Sequence, residues 1–387
     1  MKKISYCPYR ICPLGAHVDH QLGEVTGFAI DQGVKLEYEV TFDGSVEIIS
    51  KNFDGMCRFN VNDIPRRVYD WGDYVSGAVW ALNHRKTNEE NFETSDIHYG
   101  IRGVVEGTLP VGGLSSSAAV IITYLNAFCE ANEIKMTPAE LIRLAIYEER
   151  NFIGLNVGKL DQSCEVYGKE GKLLHLDTRD DSFELVEPGK NMPEFDITII
   201  FTGKSRKLIS SAYNARVDEC KAAAYALKAY AGMEYGKIQD SYLREIPESI
   251  YESNRDRIPL NWQKRVDHFY SENKRVRAGV EAWKQGDLKT FGELVKQSGY
   301  SSIYSYETGS EELKAMYEII CQAPGVYGGR FSGAGFNGSS IALIEPAART
   351  DFAKYMEQEY LRKFPHLKDV FEIRFCRSAD GVTEGMK

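Results

Sequence analysis

Apolar and polar residues alternate along Val34-Lys-Leu-Glu-Tyr-Glu-Val40, the period of a strand with one buried face. Residues 27–31 read as a strand before it, and Asp43-Gly44 as a hairpin turn into residues 46–49. The period changes over 71–84, where Val75, Ala78, Val79 and Leu82 share one face of a helix. Residues 100–106 form a further strand, which leads through a glycine- and serine-rich turn into an apolar run, 118–129, long enough for a helix. Thr137, Pro138 and Glu140 make a capping box with a proline in the first turn. The helix they start is expected to run to about Phe152 and stop at Gly154, with Glu148 and Glu149 on its solvated side. Two or three strands follow between 173 and 201, with Pro188 and Pro193 in the connection. The pattern then turns helical over 211–231, 259–285, 288–298 and 311–323, and a strand at 341–344 closes it. In the third of these helices Phe291, Leu294 and Val295 form a core-facing stripe. A boundary near Glu187 therefore separates a strand-rich 1–187 from a helix-rich 188–387, an α+β chain of two domains.

Composition narrows the classes. Of 387 residues 43% are hydrophobic and 27% charged, ordinary values for a globular protein that buries its own core. Eight scattered cysteines include no Cys-x-x-Cys pair and several lie in apolar segments, which predicts reduced thiols, no zinc site and a cytoplasmic location. The two N-terminal lysines precede no continuous apolar run, so no signal peptide is expected. No segment reaches the roughly 20 apolar residues of a membrane span. A net charge of -9 with mixed signs argues against a nucleic-acid partner but not against a nucleotide.

Candidate chemistry gathers in a few stretches. Thr108-Leu-Pro-Val-Gly-Gly-Leu-Ser-Ser-Ser-Ala-Ala-Val120 places Pro110, Gly112, Gly113 and Leu114 before three hydroxyls, Ser115, Ser116 and Ser117, and then Ala118 at a helix start. Glycines let the backbone approach a ligand, and helix N-terminal N–H groups favour an anion such as phosphate. No Gly-Lys-Ser/Thr follows, so this is not a P-loop; a turn with a serine N-cap fits equally. Arg10, His17, Asp19 and His20 crowd a loop around Pro13 and Gly15. Asp161, shortly after Gly158, reads by itself as a turn or cap residue. A second glycine-rich loop spans 328–340 with no helix behind it.

Taken together, residues 10–23, 109–119 and 329–338, in this order, resemble the signature of the GHMP small-molecule kinases, and within them the galactokinase branch. Gly158-Lys-Leu-Asp-Gln162 and Tyr213-Asn-Ala-Arg-Val-Asp-Glu-Cys220 are similar to further segments of that branch. The resemblance implies two α+β domains with the active site in the cleft between them, and ATP and Mg²⁺ as cofactors. It gives Asp161 as the base for a sugar's anomeric hydroxyl, with Arg10 beside it to stabilise the alkoxide and the transferring phosphoryl charge. It gives Ser117 and Glu149 as magnesium ligands, the 110–118 turn as the ATP-phosphate loop, and His17, Asp19, Gly158 and Tyr213 as sugar contacts. In one place the chain departs from galactokinases: Ala16 stands where they carry a glutamate facing the sugar's C6 end, and His20 where a tyrosine is common. A hexuronic acid bears a carboxylate at C6, which a buried glutamate would repel. Alanine removes that charge, and His20 or Arg206 is expected to supply a positive partner. The runs 8–21 and 324–336 are most similar to galacturonokinases, which implies D-galacturonate as substrate, with D-galactose as the alternative. A catalytically silent sugar and ATP sensor is the rival of another class, and other GHMP substrates such as mevalonate fit residues 10–23 less well. The oligomeric state is not legible.

Overall fold

In the computed structural model, which describes residues 2–84, 97–109, 114, 116–204, 210–335 and 338–382, the alternating segment is part of one long strand. β1 (Lys3–Ile11) pairs antiparallel with β2 (Glu24–Thr41), which joins the two stretches expected to be separate. The join carries an irregularity: Pro8 pairs with Gly33, and the register shifts before Arg10 pairs with Ala29. Arg10 consequently sits in β1 rather than in the loop that follows. After β3 (Ser45–Ser50) and β4 (Met56–Asn60) comes α1 (Asp73–His84), then β5 (Gly100–Gly107). Asp43-Gly44 turns the chain as expected, yet β2 and β3 form no hairpin, because β5 inserts between them, antiparallel to β2 and parallel to β3.

α2 (Ser116–Ala131), α3 (Pro138–Glu148) and α4 (Leu160–Tyr167) pack with α1 against β1 and β2. Thr137 and Glu140 form the expected capping box. α3 passes into a π-helical turn, Glu149–Ile153, closed by Gly154 in the left-handed conformation. Glu148, which ends α3, and Glu149, which opens the wider turn, are both buried rather than solvated. Asp161 is likewise corrected: it lies in the first turn of α4, not in a free-standing turn. β6 (Leu173–Asp177) and β7 (Phe183–Val186) complete a seven-stranded sheet in which β4-β3-β5-β2-β6-β7 are neighbours and β1 joins β2.

The second sheet is built after β8 (Asp196–Phe201) and a helical stretch of α5 (Ser210–Tyr230), α6 (Glu248–Asn254), α7 (Leu260–Gln285), α8 (Leu288–Tyr304) and α9 (Glu311–Gln322). β9 (Val326–Phe331) and β10 (Ser339–Ile344) follow, so the expected loop at 328–340 is in its first residues a strand. α10 (Arg349–Lys363) and β11 (Glu372–Cys376) end the fold in an antiparallel order β11-β8-β10-β9. Every strand of the first sheet precedes residue 187 and every strand of the second follows it. One apolar core nonetheless joins the halves, with Trp283 5.3 Å from Phe28 and 5.4 Å from Phe291 between ring centroids. Residues after β11 return to the first half, where Ala379 N–H donates to the Ala29 carbonyl at 2.9 Å. All eight cysteines are free thiols, and no helix among the described residues is long and apolar enough to cross a membrane.

Candidate active site

A cavity of about 760 Å³ draws its walls from β1, the 12–19 segment, α2, α4, α5 and the β9–β10 connection, and so from both halves of the chain. Its centre is an ion pair. Arg10 Nε and Nη2 each donate to Asp161 Oδ1 at 2.7 Å, joining the end of β1 to the first turn of α4. Burial alone would weaken the guanidinium's hold on its proton, but Asp161 and Glu165, one turn apart on α4, outweigh it and keep Arg10 charged. Two charge-assisted donors on one carboxylate oxygen hold Asp161 against Arg10.

Residues 14–20 are held in a tight path. Gly15 has φ 96°, and a Cβ there would collide with Val25 and Glu24, so no other residue fits. His17 is left-handed too, at φ 62°, and its ring stacks 4.4 Å from Tyr306. Its Nε2 is buried on the cavity wall without a hydrogen-bond partner among the described residues. Such an atom calls for a ligand. Burial holds the His17 imidazole well below its ordinary pKa and so neutral. Ala16 lines the cavity and is nearly buried. Asp19 lines it as well and accepts from Leu160 N–H at 3.3 Å, while a side chain at Gly158 would overlap its carboxylate. Burial, and next to it the charge on Asp161, raise the Asp19 pKa. Tyr213, from the first turn of α5, completes this wall.

His20 is the exception. It is not among the lining residues; its Nε2 meets Tyr306 Oη at 2.9 Å and its Nδ1 meets Gln21 Nε2 at 3.1 Å. Burial pushes its pKa down to about 3, so it carries no positive charge to the cavity, and the expected cationic partner is not His20. Arg206, the other candidate, lies outside the described residues, as do Pro110, Gly112, Gly113 and Ser115 of the glycine-serine turn. Ser116 and Ser117 open α2 on the cavity wall, whereas Leu114 and Ala118 are buried away from it. Glu149 also lines the cavity and accepts from Gln162 Nε2.

Two further sets of lining residues have no counterpart in the sequence reading. Arg330, buried in β9, donates from Nε to the Phe331 carbonyl at 3.0 Å and from Nη2 to Ser302 Oγ at 3.0 Å. An arginine between glycines and an aromatic in a chain turning through a cleft was its one available signal. Phe53, Tyr69, Trp71 and Tyr74 form an aromatic wall beside Asn52 and Val105. Tyr74 sits in the first turn of α1 and Trp71 just before it, inside a stretch that helical periodicity explains without a ligand.

Ser117 and Glu149 are hard oxygen donors that line the same cavity. Among the described residues no group of three or more His, Cys, Asp or Glu side chains could hold a metal by itself. A cation here would take the rest of its ligands from phosphate and water, the habit of Mg²⁺.

Comparison with known proteins gives the family. The GHMP kinases N terminal domain matches residues 73–169, and the GHMP kinases C terminal domain matches residues 280–363. A galacturonokinase of Arabidopsis thaliana is 36% identical over 404 residues, covering 98% of this chain and 93% of its own length. A galactokinase of Thermococcus kodakarensis is 31% identical over 371 residues, covering 95% of this chain and 97% of its own. The crystal structure of Lactococcus lactis galactokinase complexed with galactose matches with a TM-score of 0.86 at 27% identity, over 98% of this chain and 94% of that one. Full-length identity above 30% on a shared fold, with the paired Arg10 and Asp161 in the cavity, places the chain in the galactokinase branch of the GHMP kinases, a family of sugar 1-phosphotransferases.

Proposed function

We propose that the chain transfers the γ-phosphoryl group of ATP to the anomeric hydroxyl of D-galacturonate, giving galacturonate 1-phosphate. Asp161 accepts the hydroxyl proton as the oxygen attacks phosphorus, and Arg10, fixed against it, balances charge on the alkoxide and the transferring group. Ser117 and Glu149 would hold Mg²⁺, which would supply charge neutralisation on the phosphates. His17 Nε2, Asp19 and Tyr213 meet the sugar hydroxyls, and Gly158 gives Asp19 the room to do so. Ser116 and Ser117, with the glycine-serine turn before them, hold the nucleotide phosphates.

One observation carries the choice of sugar: Ala16 lies on the cavity wall with no charge of its own, at the position where the sequence resemblance implies a glutamate in galactokinases. An acidic sugar can bring its C6 carboxylate up to an alanine, whereas a glutamate at that one position would set two carboxylates directly against each other. Arg330, a lining cation from the second half of the chain, takes the part of counter-charge in place of His20. Near full-length similarity to a galacturonokinase supports the same reading. The fold match to a galactokinase complexed with galactose keeps D-galactose as the second reading. ATP turnover against galacturonate, glucuronate, galactose and N-acetylgalactosamine tests the choice. Galacturonate is expected to give the highest kcat/KM, and a clear preference for galactose would retire the assignment.

A further inference from the structure

The loop that carries Ala16 and His17 belongs to the first half of the chain, yet its backbone is gripped from the second. His268 Nε2 lies 2.9 Å from the Ala16 carbonyl. A carbonyl oxygen only accepts, so Nε2 carries the proton, and Nδ1 of the neutral ring accepts from Ser301 Oγ at 2.9 Å. One helical turn further along α7, Glu272 Oε1 accepts from Gly15 N–H at 2.8 Å. Its other oxygen accepts from Arg275 Nε at 2.7 Å. Ser298 donates to Glu272 and accepts from Arg330, so the cavity-lining Arg330 belongs to the same buried network. Both His268 and Glu272 are fully buried. The i, i+4 spacing puts the two side chains on one face of α7, and they hold the two successive residues whose positions set how far the Ala16 side chain stands from the cavity.

We propose that His268 and Glu272 are positioning residues that set sugar selectivity by fixing the Gly15–Ala16 backbone from the second domain. Neither residue is among those that line the cavity. Their effect reaches the sugar through the place of residue 16 and the aim of His17 Nε2, which follows it in the chain. Packed interiors transmit such shifts, and a misplacement of about 1 Å at a reacting site costs up to about 100-fold in rate. The proposal rests on the reading of residue 16 as the wall facing the sugar's C6 end.

The test uses His268→Phe, His268→Gln, Glu272→Ala and Glu272→Gln in the full chain, with kcat and both KM values measured on galacturonate and on galactose. Phenylalanine keeps the ring but cannot donate, and glutamine restores an N–H for the Ala16 carbonyl. His268→Phe is expected to raise the sugar KM by about 10-fold with the ATP KM moved less than about twofold, and to narrow the ratio between the two sugars. His268→Gln is expected to recover most of the loss, and Glu272→Gln, still able to accept from Gly15, to fall between wild type and Glu272→Ala. Where His268→Phe does not fold, His268→Asn, whose amide is too short to reach, takes its place. The proposal is overturned if sugar and ATP KM rise together, if the sugar ratio stays that of wild type in all variants, or if glutamine rescues no better than phenylalanine. Each variant is compared with wild type on whichever sugar wild type prefers, so a wrong choice of galacturonate does not count against the clamp.

Discussion

Along residues 14–17 the cavity wall is sunk in the protein, with Ala16 7% and His17 8% exposed, and its backbone is tied to α7. Along residues 53–74 the same cavity is walled by aromatic side chains that reach solvent, with Phe53 45% and Tyr69 72% exposed. Trp71 is anchored by one indole hydrogen bond to the Asp54 carbonyl at 3.0 Å, and Tyr69 by the Arg67 guanidinium 4.3 Å above its ring. A braced wall discriminates single functional groups, because its partners cannot relax around a wrong one. An open aromatic wall holds a flat ligand by stacking and tolerates change. The difference fits a sugar read atom by atom on one side and a nucleotide base gripped by its faces on the other.

The largest effect expected lies at the foot of the braced wall. Asp161→Asn keeps the volume but loses the base, and kcat should fall by about 1,000-fold with sugar affinity, read by calorimetry, within about threefold of wild type. A silent sensor would show no such fall, since it has no turnover to lose. On the open wall Trp71→Ala should raise the ATP KM by about 10-fold and leave kcat and the sugar KM near wild type. Tyr69→Ala, more exposed, should raise the ATP KM by only about twofold. A sugar KM that moved with either aromatic substitution would erase the division between the walls.

The smallest effect at neutral pH concerns the clamp's charge. Burial disfavours the Glu272 carboxylate, yet Arg275 and its other partners hold its pKa down to about 2 from 4.5. A depressed acid stabilises the fold fully above its unfolded pKa, and that contribution is lost as pH falls from 4.5 towards 2. The gap in urea midpoint between wild type and Glu272→Gln should therefore be constant above about pH 5.5, narrow as pH falls below 4.5, and close only near pH 2. A gap independent of pH over this range would mean that the carboxylate charge is not what braces the wall.

Local rules carried much of the fold. The capping box at Thr137, the helix at 73–84 and the strand at 100–107 follow from side-chain period and cap chemistry, which act within a few residues. Strand order did not follow, because the insertion of β5 between β2 and β3 is decided by packing between distant segments. The site divides in the same way. Arg10, Ala16, His17, Asp19 and Asp161 stand in stretches of unusual composition and meet in one cavity. His20 shares that composition, but a three-residue helical turn rotates it onto Tyr306, and no feature of the sequence marks the rotation. Glu149 looks like a solvated residue, yet it is buried where the π-helical turn opens. Arg330, His268 and Glu272 enter from more than 250 positions beyond the loop they serve, a distance at which periodicity says nothing.

The most direct measurement is the ratio of kcat/KM for galacturonate over galactose, in wild type and in Ala16→Glu. The account predicts a ratio above one in wild type and a fall of at least about 10-fold in the variant, because the new carboxylate repels only the acidic sugar. Equal losses on both sugars, or a wild-type preference for galactose, would contradict it.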